Sequence, residues 1–236
     1  MTLAFADIPG AFDAGAPAYD KLVATNPGYH AHLKLSAQRM ALAGDGVGLR
    51  LLDAGCGTGA STAALLAVAP KAQIVAVDAS HGMLAEAATK AWPSSVRFVH
   101  SRIEDLEKAD VGGPFDGILA AYLIRNLADG DGQLRAFRSM LTPGGTLAVH
   151  EYSVRDSRIA TVLWNAVCAS IIIPSGRLRS GDATLYKYLR RSVNRFDGAA
   201  AFRERLRANG FGSVRSETMP GWQRNIVHTF LGQATE

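Results

Sequence analysis

The 236 residues predict a single α/β domain. Its core is a Rossmann-like, doubly wound, mostly parallel sheet, with a helical arm before the sheet and a helical insertion after the fifth strand. Three observations carry this reading. The stretch Leu51 to Gly59, Leu-Leu-Asp-Ala-Gly-Cys-Gly-Thr-Gly, is an apolar run ending in an acid, followed by alternating glycines and then the helix-like Ala60 to Ala69; this is the pattern of strand, tight turn and helix N-terminus. Short apolar runs alternate with helical stretches as far as residue 151, the signature of parallel strands joined by crossovers. The carboxyl ends of those runs carry Asp53, Asp78, Arg102, Ala121 with Arg125, and Glu151, and ligands of such sheets gather at the strand ends.

Residues 1 to 48 read as the arm, broken at Asn26-Pro27-Gly28 and closed by Gly44-Asp45-Gly46-Val47-Gly48. Its aromatic residues Phe12, Tyr19 and Tyr29 would suit a lid over a ligand, and equally a pair of helices covering a sheet edge. The second strand is Ile74 to Val77, ending at Asp78, with a helix beginning near His81. Val96 to Val99 is the third strand after the turn Pro93-Ser94-Ser95, and Phe115 to Ala121 the fourth. A helix from about Asp129 to Leu141, a turn at Thr142-Pro143-Gly144-Gly145 and a fifth strand Thr146 to Glu151 follow. Ser157 to Ile173 is an apolar helix that Pro174-Ser175-Gly176 should end. Arg177 to Gly198 mixes tyrosines with arginines, Ala199 to Asn209 is a helix stopped at Gly210, and Ser213 to Thr218 with Ile226 to Leu231 make a closing strand pair.

The chemistry of the first turn selects a ligand. A dinucleotide pyrophosphate over this turn would meet the charge of Asp53, which argues against NAD, whereas S-adenosylmethionine brings a sulfonium and an ammonium that a carboxylate would welcome. The plainer alternative is a glycine turn with a helix-capping Asp. Asp78 lies 25 residues beyond Asp53, close to the spacing at which a strand-end acid receives both ribose hydroxyls. Its plainer alternative is an N-cap for the helix near His81. The residues expected around this cofactor are Asp53, Ala54, Gly55, Cys56, Gly57, Thr58 and Gly59 in the first turn, Asp78, Ala79 and Met83 after the second strand, Arg102, Ile103 and Glu104 after the third, and Ala120 with Ala121 closing the fourth.

Composition narrows the partners. With 48% hydrophobic and 19% charged residues the chain is globular. No uninterrupted apolar stretch approaches the roughly 20 residues that span a bilayer, and Met1 to Gly10 lacks the basic and apolar regions of a secretory signal, so a cytoplasmic protein is expected. Cys56 and Cys168 are the two cysteines, too few and too far apart for a disulfide framework or a metal cluster. The net charge of +4 is concentrated between Arg177 and Arg215. That basic stretch would suit an anionic surface or a solvated helix face, and its sparse aromatic interleaving does not suit nucleic acid.

Asp53-Ala54-Gly55-Cys56-Gly57-Thr58-Gly59, together with Asp78 and Leu141-Thr142-Pro143-Gly144-Gly145, resembles class I S-adenosylmethionine-dependent methyltransferases. Phe12-Asp13, Ala18-Tyr19-Asp20, Arg125-Asn126-Leu127, His150-Glu151-Tyr152-Ser153 and the run Tyr186 to Val193 look like the family that C-methylates ubiquinone and menaquinone precursors. The resemblance extends over nearly the whole chain. It implies S-adenosyl-L-methionine as methyl donor, S-adenosyl-L-homocysteine as product, and a ring carbon of a prenylated quinol as acceptor. Arg125 and Asn126 then lie near the reacting ring. The family usually has an acid or Asn where this chain has Arg102, and its glycine-rich segment near the C-terminus is matched only loosely by Gly221 to His228.

Methyl transfer is an in-line displacement that asks the protein for alignment and a dry site. Attack from a ring carbon also requires that a ring hydroxyl lose its proton or be strongly hydrogen-bonded. Arg125 would stabilise the phenolate and Asn126 orient it, with His150, Glu151 and His228 as candidate bases. Each has a structural alternative, as a cap, an ion-pair partner or a core histidine. The expected layout is an arm or lid at 1–48, a cofactor core at 49–153, a substrate cover at 154–198 and a closing helix and strand pair at 199–236. The expected acceptor is a small hydrophobic aromatic molecule. Peripheral membrane contact is a further expectation, and the oligomeric state is left open, a homodimer being one alternative. O-methylation of a small phenolic metabolite and non-catalytic S-adenosylmethionine binding are the competing functions.

Overall fold

The computed structural model describes residues 7–24, 26–180 and 183–235. The start of the arm, residues 1–6, and residues 181–182 of the insertion lie outside the described residues, as does Thr25.

Two helices, α1 (Ile8–Ala24) and α2 (Tyr29–Arg39), precede the sheet. The core then alternates β1 (Arg50–Ala54), α3 (Ala60–Leu66), β2 (Gln73–Asp78), α4 (His81–Ala88), β3 (Val96–His100), β4 (Phe115–Ala121), α5 (Gly130–Met140) and β5 (Leu141–Tyr152). After β5 come α6 (Arg158–Val167), a π-helical turn Cys168–Ile172, α7 (Ile173–Ser180), α8 (Thr184–Arg195), α9 (Ala199–Ala208), β6 (Phe211–Thr218) and β7 (Val227–Ala234). The seven strands form one sheet in the order β3-β2-β1-β4-β5-β7-β6. β1 to β5 pair in parallel, and β7 joins β5 antiparallel. This is the doubly wound, mostly parallel sheet that the alternation predicts.

Alternate side chains of the central strands enter two different cores, because successive residues of a strand point to opposite faces. Leu52, Ile118, Leu147 and Val149 pack with Phe137 of α5 and Phe202 of α9. Leu51, Leu119 and Ala148 pack with Leu33 of α2 and Leu65 of α3. Both faces are covered, as a parallel sheet requires. A third cluster, built on Tyr152, Trp164, Cys168, Val193 and Ile226, fixes α6 and α8 above the carboxyl end of β5.

Three details differ from the sequence reading. Thr142-Pro143-Gly144-Gly145 is no separate turn but a bulge inside β5: Phe115 faces Leu141 while Gly117 faces Thr146, and Gly144 takes φ 77° to make the detour. Asp78 does not cap α4. Ser80 does, its Oγ accepting from the Met83 N–H at 3.1 Å. The apolar helix does not end at Pro174. The π turn widens the hydrogen-bond ladder just before it, so the missing proline N–H falls at the start of α7. Helix thus continues from Arg158 to Leu178, which by length and composition is enough to cross a membrane; the expectation that no apolar segment reaches that length is corrected.

Candidate active site

The cofactor end is built by the first two strand-to-helix turns. After β1 the chain turns through Gly55 at φ 74°, Gly57 at φ 55° and Gly59 at φ 90°, backbone that L side chains rarely adopt. A side chain at Gly57 would meet only open space, so the turn presents bare backbone to a cavity of about 1010 Å³. That volume lies at the upper end of ordinary ligand sites and accommodates a nucleoside-sized cofactor together with a second molecule. Gly55, Cys56, Gly57 and Thr58 line it, as do Asp78, Ala79 and Met83, then Arg102, Ile103 and Glu104, and Ala121.

Asp53 does not reach that cavity. Its fully buried carboxylate points back to the first turn of α3, where Oδ2 accepts from Ser61 Oγ at 2.8 Å and Thr62 Oγ1 at 2.6 Å. Oδ1 has no partner, and burial pushes the carboxyl up to about 7. The direct pairing with a ligand cation expected from sequence is therefore replaced by a buttress beneath the turn; nor is Asp53 the helix cap of the plainer reading, since both of its donors are side-chain hydroxyls and α3 starts at Gly59 with no side-chain cap. Ala54, Gly59 and Ala120 likewise stand behind the cavity wall; Gly59 caps α3. Of the acids that end β1 and β2, it is Asp78 that faces the cavity. Its Oδ2 accepts from the Gly57 N–H and its Oδ1 from the Ser80 N–H, each at 2.8 Å, which ties the two turns together. Burial raises its carboxyl, against the pull of those two N–H groups.

The arm closes this end. Phe12, Gly15, Tyr19 and Val23 of α1 line the cavity. Two carboxylates hold the helix down. Asp13 Oδ1 accepts from Ser80 Oγ at 2.5 Å and from the Gly82 N–H at 2.8 Å. Asp20 accepts from Thr58 Oγ1 at 2.5 Å and pairs with Lys90 Nζ at 2.6 Å. Burial alone would raise Asp20, yet the Lys90 and Thr58 hydrogen bonds leave it below the usual carboxylate range.

The other end is organised by a short 3₁₀ turn, Ile124–Asn126, after β4. Arg125 and Asn126 both line the cavity. Asn126 Nδ2 donates to the Tyr122 carbonyl at 2.9 Å, and its Oδ1 accepts from the Tyr188 hydroxyl of α8 at 3.0 Å. Glu151 lies behind Arg125, Oε1 to Nε 3.6 Å, wholly buried and off the cavity. Burial raises its carboxyl and Arg125 opposes the shift. His150 is also withdrawn: Nε2 meets the Tyr122 hydroxyl at 2.9 Å and Nδ1 meets Ser36 Oγ at 2.7 Å. Burial pushes its imidazole down to about 3. His228, opposite Glu151 on β7, is pushed down to about 4 by burial. None of the three candidate bases lines the cavity, because alternation along β5 and β7 sends them into the layers around the sheet.

Sequence reasoning missed Tyr122. It follows β4, takes φ 55°, and its ring packs between Tyr29, at 6.1 Å, and Tyr152, at 4.9 Å. Such backbone strain in a non-glycine residue is a mark of functional sites, but no local sequence signal announces it. Trp164, whose ring lies 4.7 Å from Tyr152, extends this aromatic wall.

Residues 6–229 match the ubiE/COQ5 methyltransferase family. The chain belongs to this family. It is 33% identical over 225 residues to the ubiquinone/menaquinone biosynthesis C-methyltransferase UbiE of Syntrophotalea carbinolica, covering 94% of this chain and 91% of that protein. It is 32% identical over 210 residues to the demethylmenaquinone methyltransferase of Thermus thermophilus, covering 88% of this chain and 94% of that one. Among solved structures, the [4+2]-cyclase SpnF aligns with a TM-score of 0.70 at 19% identity over 100% of this chain and 97% of that chain. The putative methyltransferase in complex with the Trm112 activator of Haloferax volcanii aligns at 0.67 and 17%, over 95% and 98%. These structural likenesses speak for the fold, and a cyclase among them illustrates that fold alone does not choose a reaction.

As a member of the ubiE/COQ5 family the protein is an S-adenosylmethionine-dependent methyltransferase. The residues present fit that cofactor. The bare turn at Gly57 leaves room for close approach, and Asp78 and Glu104 on the cavity wall are carboxylates of the kind that suit ribose hydroxyls and positive charge.

Proposed function

We propose that the enzyme C-methylates the ring of a quinol or phenolic acceptor carrying a hydrophobic, prenyl-type tail. The observation that carries this reading is the pairing of a cavity-facing Arg125 with an apolar extension walled by Leu163, Val167, Ile171, Leu185 and Leu189. The names of the relatives, a ubiquinone/menaquinone biosynthesis C-methyltransferase and a demethylmenaquinone methyltransferase, point the same way. Asp78, Thr58 and the Gly55–Gly57 backbone would hold S-adenosylmethionine, which supplies an electrophilic methyl group. One S–C bond breaks with its electrons left on sulfur, one C–C bond forms, and the acceptor gives up one proton to water.

In this proposal Arg125 holds the ring oxygen in its anionic form, and Glu151 behind it keeps the guanidinium aimed at the cavity. Asn126 acts by fixing that turn, since both of its amide atoms already have partners. His150 supports Tyr122 from behind and takes no proton, its imidazole being held neutral. α1 serves as the lid, while α2 packs on the sheet, and α6 to α8 serve as the substrate cover. The reaction is placed in the cytoplasm at the inner face of the membrane, where peripheral contact gives access to a lipid-soluble acceptor.

Product analysis tests this reading. The enzyme is incubated with ¹³C-methyl-labelled S-adenosylmethionine and a demethylated quinol, and the product is examined by NMR. A label in the aryl C-methyl region is expected; an O-methyl signal, or cofactor binding with no transfer to any quinol or phenol offered, overturns it.

A further inference from the structure

Large apolar side chains are exposed at six described positions, and five of them, Ile159, Val162, Leu163, Ile171 and Leu178, fall on the single helical run from α6 to α7. Ile159 is 82% exposed, Val162 70%, Ile171 58% and Leu178 88%. Ile159, Val162 and Leu163 are spaced i, i+3, i+4 and share one face. The opposite face is anchored in the protein, since Ala160, Trp164 and Cys168 are buried in the cluster under α8. A helix tied down along one side does not cross a bilayer; it can lie in the plane of one.

Two of these residues belong to the active-site cavity as well. Leu163 and Ile171 line its apolar extension while remaining open to the outside. The cavity therefore reaches the exterior through the same apolar strip. A tail leaving the site by this route would pass from the protein's apolar wall onto its apolar surface without crossing a polar rim.

The charges beside the strip select what covers it. Exposed Arg158 opens α6 immediately before Ile159, and exposed Arg177 immediately precedes Leu178. Arg190 of α8 flanks the helix, its Nε donating to Asn165 Oδ1 at 2.7 Å. From Ser157 to Arg195 the sequence holds seven basic residues and one acid, Asp182. Two copies of this chain meeting through the strip would oppose arginine to arginine across a two-fold axis. Anionic lipid headgroups would complement the arginines while the acyl chains receive the apolar side chains.

We infer that the α6–α7 strip is both the docking surface for an anionic lipid bilayer and the mouth through which the acceptor enters, so that the tailed acceptor is drawn laterally from the membrane into the cavity. The inference rests on the proposed function for the acceptor, while the docking surface stands on the strip and its arginines. Ile159 and Val162 carry the anchoring without lining the cavity, which allows docking to be separated from chemistry.

The test uses the full-length enzyme and the double variant Ile159→Glu/Val162→Glu. Binding is read by flotation with phosphatidylcholine vesicles containing or lacking phosphatidylglycerol. Activity is read on a long-tailed quinol embedded in the vesicles and on a tailless, water-soluble quinol without vesicles. Wild type should float with the anionic vesicles and lose most of that binding on neutral vesicles or in about 1 M salt. The double variant should lose binding and vesicle-embedded turnover by about tenfold or more, and keep turnover of the soluble quinol within about twofold, which also shows that it is folded. Unchanged vesicle binding by the variant, or unchanged turnover of the embedded quinol, overturns the inference. So does a wild-type dimer, measured by light scattering, that the variant converts to monomer while vesicle binding stays absent in both. If wild type floats but methylates neither quinol, the acceptor assignment fails while the docking surface stands.

Discussion

Glu151 lies directly behind Arg125, with 3.6 Å between Oε1 and Nε, and the two side chains are 0% and 6% exposed. The acid is removed from the cavity and the guanidinium forms part of its wall. A cation buried this deeply depends on its counter-ion, both for its place in the fold and for its orientation.

Replacing Glu151 by Gln leaves Arg125 a buried charge without its counter-ion, held only by its hydrogen bonds to the Tyr122 carbonyl and Asn126 Oδ1. We expect a loss of stability of about 3 kcal/mol, measured by urea unfolding, and a fall in kcat of about tenfold to a hundredfold. The affinity for S-adenosylmethionine, which our proposal assigns to the Asp78 end, should stay within about twofold by calorimetry. A comparable loss of cofactor affinity would show that Glu151 acts on the whole site and not through Arg125.

Asp53 and the buried histidines give stability opposite dependences on pH. A carboxyl raised from 3.8 to about 7 makes the folded state bind more protons than the unfolded state between about pH 4 and 7, so this contribution is present at low pH and lost as pH rises through 7. His150 and His228, lowered to about 3 and about 4, contribute above pH 6.5, and that contribution is lost as pH falls through those values. The slopes oppose one another between about pH 4 and 6.5. In Asp53→Asn the Asp53 part of the opposing slope should disappear, leaving the histidine slope less opposed. Its stability relative to wild type should increase toward pH 8 by an amount on the order of 4 kcal/mol at most, as read by chemical denaturation across pH. A wild-type profile and a variant profile of the same shape would refute this.

Asp13 and Asp20 hold α1 over the cofactor end through Ser80, Gly82, Thr58 and Lys90. Each partner set is partly open to solvent, so Asp13→Asn and Asp20→Asn should change global stability by no more than about 1 kcal/mol. Loosening the lid should weaken S-adenosylmethionine binding by about fivefold for each. Rapid-mixing fluorescence should show the loss chiefly as faster cofactor release. Unchanged release rates would mean that α1 only covers the sheet.

Much of the fold was legible because it rests on local signals. Glycines at alternate positions, apolar runs of strand length and the acid at the end of β2 are all properties of a few neighbouring residues. The bulge at Thr142 to Gly145 was not legible as such. Pro-Gly-Gly has turn chemistry wherever it occurs, and only pairing with β4 on either side shows that the strand continues through it. Pro174 misled for a similar reason, since the π turn that accommodates it depends on the packing of Cys168 and Trp164 beneath α8.

The site divided along the same line. Arg125, Asn126 and Asp78 were found because they stand where strands end, and the cavity forms there in any doubly wound sheet. His150 and Glu151 stand at the same level, but a residue's position along a strand does not say which side of the wall its side chain occupies. That depends on what packs on each face: Ser36 of α2 claims His150, and Arg125 shields Glu151 from the cavity.

By itself the sequence determined the parallel sheet, the methyl donor's turn and the family, since these depend on backbone conformations and strand ends that short motifs encode. Only the tertiary structure decided that Asp53 supports the turn from beneath while Asp78 faces the cavity, that Tyr122 is held strained against His150, and that one helix carries an apolar strip into the mouth of the cavity. Those outcomes depend on which surfaces meet, and residues as distant as Ser36 and Thr229, whose hydroxyls stand 2.7 Å apart, are brought together only by the finished fold.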